Sequence, residues 1–511
     1  MINFRQYANM TKCIIPKSVK LSNTDFSNKF RNRYNLTNVV LPDGVTNLCN
    51  TFSHCNRLEN ALCGPNVTDM SYAFDWCRNL TGSAVCGPNV TNMRNTYAYC
   101  GRLRGNAVCG DNVIDMTSTY FSCSSITTAA CGINVKYMNA TYTACRSLTT
   151  AVCGPNVKYM NATYNGCYNL TTAVCGPNVT DMCCSYENCN RLTTAVCGPN
   201  VIDMNFAYAN CTNLTTAVCG PNVINMRGTY YYCTKLTTAV CGEKVTNMHI
   251  AYDNCSNLTT AVCGPNVIDM SDAYMGCAKL TTAVCGENVI SMCDFAVNYR
   301  NGAYCNCSNL TTAACGTNVT NMEFAYRNCA NLTVAVCGPN VKYMGGAYFN
   351  CANLTTAACG ENVISMVALN RTSTTNTRKM SAYGAYTSCS NLITAVCGNN
   401  VANMAFAYMN CANLVHAVAG VNVDSMYCAY KNCPNVRGNA YIYSSKVNKI
   451  YGCFENRNVN NRLNIYLPSG TTTLTYALAT NTKSLVNVAI TWTNAMATNG
   501  CHYNATYNLY I

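Results

Sequence analysis

The sequence predicts an α/β repeat solenoid, with short parallel strands on one face, short helical or 3₁₀ segments on the other, and a β-rich C-terminal cap. Three observations carry this. The decapeptide LTTAVCGPNV stands verbatim at Leu148 and again from Leu170, Leu192, Leu214 and Leu258. A Cys-Gly pair recurs from Cys63 to Cys397 at intervals of 22 residues, or 23 near the start, with two longer intervals; where the next pair is due, Ala419 stands. The 511 residues are 49% hydrophobic and only 10% charged, and a fixed period of this size marks one stacked core in place of separate globules.

Residues 1–35 form an N-terminal cap with a divergent first coil, since the end of a stack must cover its exposed core. Residues 36–440 are the repeats. In the type coil, Leu148, Ala151 and Cys153 fit a short strand, with Ala151 and Cys153 alternating inward around Val152. Gly154-Pro155-Asn156 ends it, because Pro lacks the ladder donor and Gly and Asn favour turns. Val157, Met160, Tyr164 and Cys167 follow at steps of three, four and three, the spacing of one helical face. Two insertions break the period, near 293–302 and 367–382, both after the Met and before the Tyr, so both are expected on one side. Residues 441–511 carry degenerate coils and the β-rich end, including a strand within 484–493.

Leu36 to Cys55 spells LTNVVLPDGVTNLCNTFSHC, and NVTDMSYAFDWCRNLT runs from Asn66 to Thr81. These segments resemble the BspA-like leucine-rich repeats of bacterial, protozoal and phage surface proteins, and the resemblance extends over about residues 12–435. It implies a leucine-rich-repeat arc or rod whose work is adhesion or partner binding. The chain departs from the pattern in placing Cys-Gly where an aliphatic residue would close the strand.

The 41 cysteines have an internal control. Leu41 and Ile15 occupy the register of Cys153, so the position wants a small or medium apolar group, and a free thiol supplies one. The alternatives are disulfide pairing of the two ladders and metal binding at the dense Cys183-Cys184 or Cys305-Asn-Cys307. No paired CxxC spacing suggests zinc. Four isolated histidines, His54, His249, His416 and His502, and the lack of nucleophile, zincin or phosphate-loop motifs predict neither catalysis nor a cofactor. Net charge is +13, but it arises from having only 20 acids and not from a basic stripe, so nucleic acid is not the expected partner.

The expected partner is a protein or a polysaccharide, with self-association of a structural rod as the alternative. The side chains expected to meet it are Tyr299 and Arg300 in the first insertion and Arg371, Arg378 and Lys379 in the second. MINFRQYANMTKCIIPKSVK lacks an apolar signal region, and no stretch of about 20 apolar residues could span a bilayer. That predicts cytoplasmic synthesis, with incorporation in a virus or phage particle, or else a cell surface reached by a non-classical route.

Overall fold

The structure is a computed structural model that describes residues 9–468 except 61–62, 85, 294–300, 370–381, 396, 448 and 459, together with the backbones of 488–493, 503–504 and 509–510. It divides into two compact units, Met1–Val245 and Thr246–Ile511. In the first unit, β1 (Lys12–Ile14) pairs in parallel with β2 (Asn38–Val40), and β3 (Gly105–Val108), β4 (Ile126–Ala130) and β5 (Thr150–Val152) form a parallel sheet. The seven ladder positions Leu148, Ala151, Cys153, Val157, Met160, Tyr164 and Cys167 are all buried. Leu41 is buried as well, whereas in the divergent first coil Ile15 is half-buried and Val19 exposed.

The helical segment is corrected. Among the described residues there is no helix, and the fold is a β-solenoid of parallel-bridged coils. The spacing of Val157, Met160, Tyr164 and Cys167 is genuine, but consecutive β-turns return a chain to one face with the same three- and four-residue steps. Ala162 and Gly166 adopt left-handed φ of 53° and 72°, which closes each turn and stops a helix. Their N–H groups donate to the Cys183 and Glu187 carbonyls of the next coil, each at 2.8 Å. The residues that follow each of them, Thr163 and Cys167, donate to Met160 and Tyr164 three residues back, each at 3.0 Å. Alternate donors thus stitch coil to coil, where a helix would keep them all to itself.

Cysteine serves two such seams. The Cys167 thiol donates to the Tyr142 carbonyl of the preceding coil at 3.1 Å, and Cys189, Cys211 and Cys233 repeat the bond to Tyr164, Tyr186 and Tyr208. In the other ladder, the Cys131 sulfur accepts the Gly154 N–H at 2.9 Å. Every cysteine but Cys501 is described, and each of these forty is a free thiol. The glycine beside them follows from close approach: a Cβ on Gly176 would lie 2.7 Å from the Gly154 carbonyl oxygen, and one on Gly198 2.8 Å from that of Gly176.

A column of rings fills the centre of the first unit from Phe30 to Tyr230, with successive centroids 5.3 to 5.8 Å apart. Tyrosine is used because its hydroxyl has work on the strand side. The Tyr208 hydroxyl donates to the Val196 carbonyl at 2.6 Å and accepts the Val196 N–H at 3.1 Å, and Tyr230 does the same with Val218. Where the residues twelve positions back, Ala130 and Val152, are held in β4 and β5 instead, the buried hydroxyls of Tyr142 and Tyr164 have no partner.

The second unit repeats the ring column from Tyr252 to Phe454. Its parallel sheet runs β8 (Ala417–Ala419), β9 (Gly438–Ile442), β10 (Leu463–Pro468) and β11 (Val488–Thr493), and β12 (Tyr503–Asn504) pairs antiparallel with β13 (Leu509–Tyr510). Both insertions leave as antiparallel pairs directly after a core methionine. One opens at the Cys293–Gly302 bridge, the other between β6 (Val367–Leu369) and β7 (Ala382–Gly384). Three successive parallel bridges, Ser291 to Asn321 to Tyr343 to Ser365, separate them along one ladder. The base of the second is clamped by Arg327, whose guanidinium carbon lies 5.6 Å from both the Phe349 and Tyr383 rings and 6.0 Å from that of Phe324. Among the described residues no helix is long and apolar enough to cross a membrane.

Candidate recognition groove

Tyr299, Arg300, Arg371, Arg378 and Lys379 lie outside the described residues, so only the bases of their insertions have a described place. A different site emerges from the turn after the strand. Each Pro-Asn turn carries an asparagine whose amide nitrogen donates to the carbonyl one coil back: Asn156 to Ile133, Asn178 to Pro155 and Asn200 to Pro177, each at 2.9 Å. This makes a fixed row of amides. A second row runs beside it, two residues further along each coil, where Lys136, Lys158, Thr180, Ile202 and Ile224 are held by consecutive backbone bonds of 2.9 to 3.0 Å.

Between these rows lies an open groove of about 860 Å³ from Asn134 to Lys244, and a second hollow of about 520 Å³ continues the same rows from Asn66 to Lys136. Tyr137 and Tyr159 stack on each other in the groove, with centroids 5.5 Å apart and planes 7° apart, and the Lys158 ammonium sits 5.3 Å from the Tyr159 ring centroid. Lys244 donates to the Asn222 amide oxygen at 2.6 Å. The arrangement offers hydrogen-bond acceptors, cations and ring faces along a line, with nothing poised as nucleophile or base. The sequence signal was present in Asn-Val-Lys-Tyr-Met, which occupies 134–138 and 156–160, and again 340–344 in the second unit, where most other coils have Val-Thr or Val-Ile followed by Asp, Asn or Ser. It was missed because nothing in the repeat says which turn position borders the asparagine row.

Among the described histidines, His54 lies in an aromatic and basic setting. His54 stacks on Trp76 at 5.8 Å, with Arg78 4.6 Å from the Trp76 ring, and burial together with Arg31 and Arg78 lowers its pKa. Among the described residues no group of three or more His, Cys, Asp and Glu could hold a metal ion.

Burial pushes the thiols of Cys153 and Cys167 up to about 12. Cys183 is different. Its sulfur lies 3.6 Å from that of Cys184 and accepts the Asn205 amide at 3.5 Å, and the Cys184 thiol, followed by that amide, stabilises its thiolate and lowers its pKa against the opposing effect of burial. Iodoacetamide at pH 8 is therefore expected to label Cys183 before Cys153 or Cys167 in the native protein, read by peptide mapping. Cys184→Ala should slow that labelling.

The family model for the BspA type leucine rich repeat region matches residues 3–104, 71–193, 183–301 and 271–379. No curated protein matches the chain significantly. Among solved structures, a leucine-rich repeat protein from Bacteroides ovatus is similar in fold, with a TM-score of 0.53 at 12% identity over 76% of this chain and 92% of that one. A leucine rich cell surface protein from Faecalibacterium prausnitzii matches at 18% identity over 66% of this chain and 88% of that one, with a TM-score of 0.35. The leucine rich repeat protein of T. pallidum matches at 20% identity over 31% and 78%, with a TM-score of 0.28. Since the family model spans well over half of the chain, this protein belongs to the BspA-type leucine-rich repeat family.

Proposed function

We propose that the chain is a non-enzymatic recognition protein, acting in adhesion or receptor binding at a cell or virion surface, and that it holds an extended protein or polysaccharide along the groove of its first unit. The observation that carries this reading is the groove itself, whose two rows are fixed by coil-to-coil hydrogen bonds before any partner arrives. A preformed surface loses little ordering entropy on binding. The interaction role common among leucine-rich repeat proteins supports it, and the two insertions of the second unit would be additional contacts.

A second reading, a self-assembling structural solenoid, draws on the strand face, where Val152, Val174, Val196 and Val218 are exposed in successive coils. The test is to probe a printed panel of purified glycans and extracellular proteins with the full chain, alongside light scattering. A monodisperse protein whose signal falls with Lys158→Glu supports recognition. Large particles at low concentration, with no signal that the variant changes, would favour assembly.

A further inference from the structure

We propose that the groove takes a linear acidic polysaccharide, a chain of sugar rings bearing carboxylates or sulfates, laid across successive coils; this deepens the recognition reading and rests on it. Charge sets the sign of the ligand. Three lysines and no carboxylate stand among the thirteen residues lining the larger hollow. The row that carries Tyr137 and Tyr159 continues into Asp115 on one side and Asp181 and Asp203 on the other, all outside that lining; Asp181 and Asp203 keep their charge but each turns Oδ1 back to a backbone N–H, of Cys183 at 3.0 Å and of Asn205 at 2.8 Å.

The backbone excludes the usual way of holding a peptide, which is to add a strand to an open edge. Here the edge is closed, because the Lys158 N–H is bonded to Lys136, Thr180 to Lys158, Ile202 to Thr180 and Ile224 to Ile202. What remains for a ligand are side chains. The amide nitrogens of the asparagine row are held by the preceding coil, which fixes the amide planes and leaves Oδ1 as an acceptor suited to hydroxyl donors at Asn156, Asn178 and Asn200, whereas that of Asn222 already receives Lys244.

The aromatic pair favours sugars over nucleic acid. Tyr137 and Tyr159 already stack face to face at 5.5 Å, so no base can slot between them, while their edges and hydroxyls stay available to the hydroxyl groups of a sugar chain laid across the pair. The rows repeat once per coil, at the roughly 4.8 Å spacing of paired strands, and a hexopyranose ring advances a glycan by about one such step. Extended peptide advances by about 3.3 Å per residue and falls out of phase.

The test uses the full chain with polygalacturonate, heparin, neutral dextran and single-stranded oligothymidylate as probes, in the wild type and in Lys158→Glu, Tyr159→Ala and, in the second unit, Lys279→Glu. Lys158 and Lys279 are exposed and Tyr159 is half-buried, so unchanged melting temperatures are expected. The expected result is binding to polygalacturonate or heparin but not dextran, weakened about tenfold by Lys158→Glu and by Tyr159→Ala and unchanged by Lys279→Glu. Loss in Tyr159→Ala separates ring contact from net charge, since that variant alters no charge.

Equal weakening by Lys158→Glu and Lys279→Glu, or tighter binding of oligothymidylate than of either polyanionic sugar, overturns the proposal. Groove-sensitive binding confined to dextran or to a printed protein overturns the acidic ligand and keeps the recognition reading. Binding that no groove variant affects removes both.

Discussion

Tyr208→Ala is expected to lower the stability of the first unit by about 3 to 5 kcal/mol, the range for deleting a large buried aromatic side chain. Tyr208 is fully buried between Tyr186 and Tyr230, with ring centroids 5.3 and 5.8 Å away, so its removal opens a gap in a column that has no neighbouring side chain able to cross it. The sharper comparison is with phenylalanine. Tyr208→Phe keeps the ring but strands the Val196 N–H and carbonyl that the hydroxyl served at 3.1 and 2.6 Å, a cost of about 1 to 3 kcal/mol. Tyr164→Phe, two coils away, removes a buried hydroxyl that has no partner, and should leave stability unchanged or raise it by about 1 kcal/mol. Urea denaturation of the three variants distinguishes the cases. Equal losses for both phenylalanine variants would show that the hydroxyls are interchangeable.

The second large effect is a gain. Asp253 is 3% exposed and lies beside the equally buried Asp272, and burial first, then that neighbouring charge, raises its pKa to about 8. The folded state holds a proton that the unfolded chain gives up near pH 4. The stability present below about pH 4 is therefore lost progressively as the pH rises through about 8. Asp253→Asn substitutes a neutral amide of the same shape, and its oxygen can still accept the 2.6 Å bond from the Asn254 amide. At pH 7 the variant should be more stable by about 2 to 4 kcal/mol. Melting temperatures from pH 4 to 8 should also fall less steeply for the variant than for the wild type. Parallel slopes would mean that Asp253 titrates normally.

Much of the coil was legible because the sequence repeats its own experiment. Leu41 in the register of Cys153 identified that cysteine position as an apolar one; Cys109, Cys153 and Cys397 are buried there, while most of their equivalents, such as Cys175 and Cys197, are half-buried, and all are free thiols. The turn segment was misread because hydrophobic spacing reports which residues share a face and not how the backbone returns to it. A cue did exist in composition. Asparagine recurs just before the second cysteine, and Asn188, Asn210, Asn254, Asn328 and Asn350 all adopt φ of 59° to 63° there. Among residues other than glycine, asparagine enters that region most readily. The groove was harder to see, because it depends on two rows, Asn156 and Lys158 with their equivalents, that only stacking sets side by side.

The thiol seams bear on how the chain can change its length. Each sulfur in the Cys167 ladder donates to one neighbouring coil only, and the coil whose Tyr142 carbonyl receives Cys167 sends its own thiol, Cys145, to Tyr120 in the coil before it. Copying or deleting one 22-residue unit in register would therefore hand the new neighbours the same donors and acceptors that they had before. Recombination between near-identical repeats could then alter coil number by odd as well as even steps without leaving a covalent partner behind, a freedom that a chain cross-linked through pairs of cysteines would not have.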